Sequence, residues 1–157
     1  MGLFDKIKSA ASSLTGGAAN VQVEPAEMTR GQVGQVVVRC QAKESEVKYD
    51  RIYLKIEGVE HVEVCDADLV EGYDGNLHRR DELVRARRIT FDDVIDVAPA
   101  GVLGANESAE WTVDITIPET ANGEYNGHLA SHHYQALAGM DCFGNDPDSG
   151  WVHFTVW

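Results

Sequence analysis

The sequence predicts an all-β protein, an antiparallel β-sandwich that follows one short amphipathic helix. Three observations lead to this prediction. Apolar and polar residues alternate in about eight short segments, as in strands with one buried face. Clusters of glycine, asparagine and aspartate separate these segments and are typical of turns. The helical period appears in one good segment only, so no βαβ rhythm is present.

Alternation is clearest in VGQVVVRCQ, RIYLKIEG and EWTVDITIP, the last of which ends at Pro118. In each segment every second residue is apolar, which places these side chains on one face of a strand. They are Val36, Val38 and Cys40, then Ile52, Leu54 and Ile56, then Trp111, Val113, Ile115 and Ile117.

The remaining strands have weaker patterns. We expect them at residues 20–24, 61–67, 88–97, 128–141 and 151–157. The last segment, WVHFTVW, is aromatic and β-branched, so we expect it to be well paired and half buried. Residues 77–88, LHRRDELVRARR, lack alternation, and we expect a loop that flanks a strand.

The N-terminal stretch MGLFDKIKSAASSLTGG predicts an amphipathic helix and a glycine hinge over residues 1–17, ahead of a sandwich domain over 18–157. Three interpretations stay open for its apolar stripe: docking on the protein itself, on a partner, or on a membrane surface. A helix of about twelve residues spans about 18 Å and is too short to cross a bilayer. The residues expected to make the contact are Leu3, Phe4, Ile7 and Leu14.

Charge and cysteine usage narrow the function classes. The net charge is −13, from 26 acidic and 13 basic side chains, so the chain should repel nucleic-acid phosphates and anionic lipids. Its three cysteines are widely spaced, and no secretory signal precedes them. These features predict reduced thiols and a cytoplasmic location.

Five arginines form a basic island in this acidic chain. We weighed two interpretations: a solvated loop that neutralises Asp81 and Glu82, or a docking patch for an acidic partner. The island comprises Arg79, Arg80, Arg85, Arg87 and Arg88.

A second candidate site is the loop DCFGNDPDSGW, whose oxygen-bearing side chains suit a hard cation such as Ca²⁺. The alternative is a tight hairpin in which short side chains bond their own backbone. The candidate ligands are Asp141, Asn145, Asp146 and Asp148.

A transition-metal site at His128, His132 and His133 is disfavoured, because on a strand His133 points away from the other two. We expect these histidines to be hydrogen-bonded or solvated. No sequence signature of a nucleophilic active site is present, so we expect no enzyme activity and no cofactor.

Three segments carry a resemblance to a known family. VQVEPAEMTRGQVGQVVVRCQ, VKYDRIYLKIEGVEHVEV and WTVDITIPETANGEYNGHLASHHYQALAGMD resemble, in this order, strands of arrestin-like β-sandwiches, and within them the bacterial sporulation-control proteins. The resemblance covers residues 20–157 and implies an immunoglobulin-like or arrestin-like sandwich of a single lobe. The positions that match are Gly31, Val33, Gly34, Val36, Ile52, Leu54, Ile56, Gly58, Ile117, Pro118 and Tyr134.

The family resemblance implies adaptor or regulatory binding rather than catalysis. We therefore expect a non-catalytic protein-interaction module, with the first helix and the arginine island in contact with a protein partner. Two alternatives stay open: a peripheral membrane protein held by the helix, and a sandwich that binds a divalent cation. A free sheet edge would equally support a homodimer.

Overall fold

The computed structural model describes residues 17–157, and these residues form an all-β, antiparallel sandwich. The prediction of the fold class is therefore confirmed, whereas the predicted helix lies outside the described residues. None of the described residues forms a helix long and apolar enough to cross a membrane. The strands are β1 (Ala19–Pro25), β2 (Val33–Ala42), β3 (Val47–Glu71), β4 (Leu77–Leu103), β5 (Ser108–Thr116), β6 (Tyr125–Asn126), β7 (Ala130–Cys142) and β8 (Val152–Phe154).

Two antiparallel sheets make the sandwich. The smaller sheet has the strand order β1-β2-β5, and the larger has the order β4-β3-β7-β6, with β8 also paired to β7. Strand β8 makes only three register pairs with β7, and the residues after it continue beside the segment that follows β1. Both edges of the smaller sheet and the outer edge of β4 are unpaired within the described residues.

The core lies between the sheets, where the predicted alternation places its apolar side chains. Ile52, Leu54 and Ile56 of β3 are at most 1% exposed, and they face Val36 and Val38 of β2 within one buried cluster. Burial of side chains of this size supplies most of the favourable free energy of folding. Tyr134 of β7 is also fully buried, and its hydroxyl donates a hydrogen bond to the carbonyl of Asn122 at 2.6 Å.

The structure corrects the prediction for residues 77–88, which form part of β4 rather than a loop. These residues pair one-to-one with residues 60–71 of β3. They show no alternation because every side chain from Leu77 to Arg88 is exposed. Alternation cannot reveal a strand of this kind, since its pairing with the preceding strand across the turn 72–76 defines it.

Strand lengths differ from the prediction in two further places. The segments 51–58 and 61–67 belong to one continuous strand of 25 residues, β3, with an irregularity in its pairing to β4 between Gly58 and Val59. The final segment is regular only over Val152–Phe154, and Trp157 is 67% exposed.

Candidate functional site

A two-stranded β-ribbon projects from the larger sheet. The pairing of β3 with β7 ends at Val62, whereas the pairing of β3 with β4 continues for nine more pairs, from Glu63↔Arg85 to Glu71↔Leu77. We define the ribbon as residues 63–71 and 77–85 with the turn 72–76 between them. At about 3.3 Å per residue it extends about 30 Å.

Hydrogen bonds at the tip define the turn. The amide of Gly72 donates to the carbonyl of Asn76 at 2.8 Å, and Gly75 has a φ of 75°, a value that favours glycine. The Asp74 carboxylate accepts a bond from the side chain of His78 at 3.0 Å. The hydrogen bond from His78 is the main cause that lowers the pKa of Asp74, and hydrogen bonds from Asn76 lower it further. Tyr73 at the tip is fully exposed.

The two faces of the ribbon differ in chemistry. Directly paired residues share a face, so Cys65, Leu69 and Leu83 lie together with Ala67 and Leu77 on one side, which we call the apolar face. Leu69 is 68% exposed and Leu83 is 52% exposed. The apolar face continues the solvent side of the larger sheet.

Charged side chains on the apolar face are paired with one another. Arg85 contacts Glu63 at 2.6 Å, and Arg79 contacts Asp81 at 2.7 Å. The opposite face carries Asp66, Asp68, Arg80 and Glu82, for which this part of the chain provides no ion pair. The apolar face therefore carries two compensated ion pairs, whereas the opposite face carries a net negative charge beside Val64, Val70 and Val84.

The predicted arginine island belongs to the ribbon and its base. Arg79 neutralises Asp81, as one of the two interpretations expected, whereas Glu82 lies on the other face. Arg87, at the base, contacts Glu57 at 3.2 Å, and Glu57 is 6% exposed. The five arginines therefore divide between the two faces rather than form one basic patch.

The acidic loop after β7 is a tight turn in which short side chains bond nearby backbone. Asp146 accepts a bond from the amide of Cys142, Asp148 accepts one from the amide of Gly150, and Asp141 is paired with Arg51. Across residues 17–157, no three histidine, cysteine, aspartate or glutamate side chains are grouped so that they could hold a metal ion. Cation binding by Asp141, Asn145, Asp146 and Asp148 stays a prediction.

The histidines of β7 lie on opposite faces, as the sequence predicted. His132 is 1% exposed on the inner face, where its Nε2 lies 2.7 Å from the hydroxyl of Thr90. Burial lowers the pKa of His132. His133 lies on the outer face beside His61 of β3 and His153 of β8, an arrangement that sequence reasoning missed because the three residues are far apart in the chain.

The other sequence candidates have different outcomes. Leu3, Phe4, Ile7 and Leu14 lie outside the described residues, so their contacts stay a prediction. All three cysteines are free thiols: Cys40 is buried, Cys65 is exposed on the ribbon and Cys142 is half buried. Burial raises the pKa of Cys40 to about 12, which makes this thiol a poor nucleophile.

Comparisons with known proteins identify the fold. No protein-family model matches the chain, and a search of curated proteins found no match. Two solved structures have TM-scores too low to bear on fold or function. They are the alkylpurine DNA glycosylase AlkC of Pseudomonas fluorescens bound to DNA with an abasic site analog (TM-score 0.42, 14% identity, 90% of this chain and 31% of that one) and a CARDB domain of Pyrococcus furiosus in complex with di-metal ions (TM-score 0.40, 12% identity, 94% and 96%).

A third solved structure is more similar. The sporulation control protein Spo0M of Bacillus subtilis matches with a TM-score of 0.59 at 15% identity, over 89% of this chain and 49% of Spo0M. The chain thus spans about half the length of that protein. The described residues have a Spo0M-like, arrestin-like sandwich fold, as the resemblance in the sequence implied.

Proposed function

We propose that this chain is a non-catalytic protein-interaction module of adaptor or regulatory type, and that the ribbon is its contact surface. The observation that carries the proposal is the concentration of exposed apolar side chains on a projecting two-stranded element. Exposed large apolar residues on the ribbon are Leu69, Val70, Tyr73, Leu77, Leu83 and Val84. Leu69, Leu77 and Leu83 share the apolar face, and exposed apolar patches on soluble proteins mark interaction sites.

The geometry supports a protein partner for the apolar face. A two-stranded ribbon alone is marginally stable in water, because neither face buries apolar surface. Leu69 and Leu83 on this face would become buried against a partner. The compensated pairs Glu63–Arg85 and Arg79–Asp81 would form a polar rim around them.

The comparison gives independent support for a regulatory role. Spo0M is named as a sporulation control protein, and this chain has a similar fold. The likeness concerns fold at 15% identity, so the partner of this chain is to be found by experiment.

Affinity capture from the source organism, followed by binding measurements with purified proteins, tests the proposal. The variant is L69S/L83S, and the control is V33S. Val33 is a suitable control because it is as exposed as Leu69, at 68%, and lies on β2, away from the ribbon. We expect a protein that binds the wild type and V33S alike and binds L69S/L83S at least about tenfold more weakly by calorimetry, since each leucine is an apolar anchor.

Two outcomes reject the ribbon as the contact surface. One is equal affinity of the double variant and V33S for every captured protein, with unchanged circular dichroism. The other is that the capture experiment yields no protein that binds to the apolar face. Sedimentation velocity over a range of concentrations identifies the case in which the partner is a second copy of this chain.

A further inference from the structure

Three histidine rings form a row across three strands of the larger sheet. His61 and His133 have ring centroids 5.2 Å apart with 9° between their planes, and His133 and His153 have centroids 4.4 Å apart. The register produces the row, because His133 lies opposite Val59 of β3 and His153 lies opposite Gln135 of β7. Each ring therefore contacts the next one diagonally across the sheet. We call these three residues the histidine row.

The row ends on a short strand. β8 has three register pairs with β7, and the residues after it are held by bonds to the segment 28–30, such as the Arg30 amide to the Trp157 carbonyl at 2.9 Å. Phe154 and Val156 anchor this segment in the core. A ladder of three pairs opens at a lower free-energy cost than the long ladders of the core.

Charged groups around the central ring oppose its protonation. Burial is the main cause that lowers the pKa of His133, and neighbouring His153, His61, His132 and Arg87 lower it further. His132 lies on the other face of β7, and Arg87 comes from β4.

The carboxylates on this face do not compensate the row. Glu63, two residues from His61, is paired with Arg85 at 2.6 Å. Glu57 of β3, on the same face, is already bonded to Arg87 at 3.2 Å and to Gln135 at 3.0 Å. Glu124 lines the same open groove as His133 and His153, but it is exposed, so water screens its charge. The three rings can stack closely while they are neutral, and protonation would place like charges side by side.

We propose that the histidine row is an acid-sensitive latch, which holds β8 against β7 at neutral pH and releases β8 when the row is protonated. Release uncovers the edge of β7 at residues 134–136, the positions that pair with β8. It also withdraws Phe154 and Val156 from the core. The rest of the sandwich keeps its pairing, because among residues 17–157 β8 forms a ladder with β7 alone.

Hydrogen exchange of the full chain at pH 7.5 and pH 5.5 tests the latch, with rates corrected for the intrinsic effect of pH on amide exchange. We expect protection of residues 152–157 to fall at least tenfold at pH 5.5, while amides shared by β2 and β5 keep their protection. H133Q removes the central charge and should keep residues 152–157 protected at both pH values. H128Q is the matched control, since His128 lies outside the row, and should behave as the wild type.

Three outcomes overturn the proposal. They are equal protection of residues 152–157 at both pH values, a loss of protection that is uniform over all strands, and a wild-type response in H133Q. If H133Q does not fold, nuclear magnetic resonance of the wild type decides. The β8 amide resonances must change with the same midpoint as the His133 ring, and a different midpoint rejects the latch.

Discussion

Strand β3 passes through two environments that differ in what holds it. From Val47 to Gly58 it lies between β4 and β7, and its inner side chains are among the most buried of the protein. From Val64 to Glu71, β4 is the only strand that pairs with it within residues 17–157, and every side chain except Val64 is exposed. The first part contributes folding free energy, whereas the second presents surface. The comparison teaches that one continuous strand can build the core at one end and present exposed side chains at the other.

Truncation of one leucine in each part tests this division most strongly. L54A should lower the free energy of unfolding by about 2–5 kcal/mol, because Leu54 is 0% exposed and its removal leaves a cavity. L69A should change this free energy by less than about 0.5 kcal/mol, because Leu69 is largely exposed. Urea unfolding followed by circular dichroism measures both values. Similar losses in the two variants would contradict the division.

The irregularity of β3 at Gly58, within the body of the sandwich, gives a smaller effect. A Cβ at Gly58 would lie 3.0 Å from the ring of Tyr134 and 3.1 Å from both Phe91 and Thr90, so G58A should cost about 1–3 kcal/mol through overpacking. G72A is the control at the ribbon tip, where the added carbon meets only the movable, exposed side chains of His78 and Asp74. Urea midpoints of the two variants compare them. An unchanged urea midpoint in G58A would show that the side chains around Gly58 can accommodate a methyl group.

Lowering the pH should give the smallest effect on the free energy of unfolding, and this effect should come from the body of the sandwich rather than from the ribbon. The pKa values of His132 and His133 lie below their ordinary 6.5 in the folded state, chiefly through burial. Below pH 6.5 the unfolded chain therefore binds more protons than the folded one, and the free energy of unfolding falls as the pH falls toward the folded pKa values. Urea unfolding at pH 7.5, 6.5 and 5.5 measures this loss.

The ribbon provides the matched control for this pH series. The lowered pKa of Asp74 affects stability only below its ordinary value of 3.8, so D74N should keep the wild-type dependence between pH 7.5 and 5.5. If the free energy of unfolding of the wild type did not change over this range, the assignment of the pH dependence to His132 and His133 would be contradicted. If D74N abolished the pH dependence of the free energy of unfolding, that dependence would come from the ribbon instead.

The sequence predicted the body of the fold because burial leaves a local signature. Ile52, Leu54 and Ile56 alternate with polar residues, and their segment is a core strand as expected. Residues 77–88 have no such signature, since neither face of the ribbon is buried in the chain itself. Their strand conformation depends on pairing with residues 60–71, which alternation on one side cannot reveal.

The candidate site was predicted only in part, because much of it depends on which strands pair and in which register. The arginine island was identified as unusual, but its division between two faces follows from strand register, which one sequence does not fix. The histidine row was missed because His61, His133 and His153 become neighbours only when β3, β7 and β8 pair. Residues this far apart in the chain form no local sequence pattern.

The continuity of β3 has a mechanical consequence. The ribbon and the core strand are one uninterrupted path from Val47 to Glu71, and the ladder bonds to β4 and β7 run across that path. A force along the ribbon acts on β3 and β4 together, so it loads the bonds between β3 and β7 in shear at the same moment, whereas a sideways force would break them one after another. Tension applied along the tip is borne by the whole sheet, so the ribbon is anchored as a tether rather than as a flexible loop.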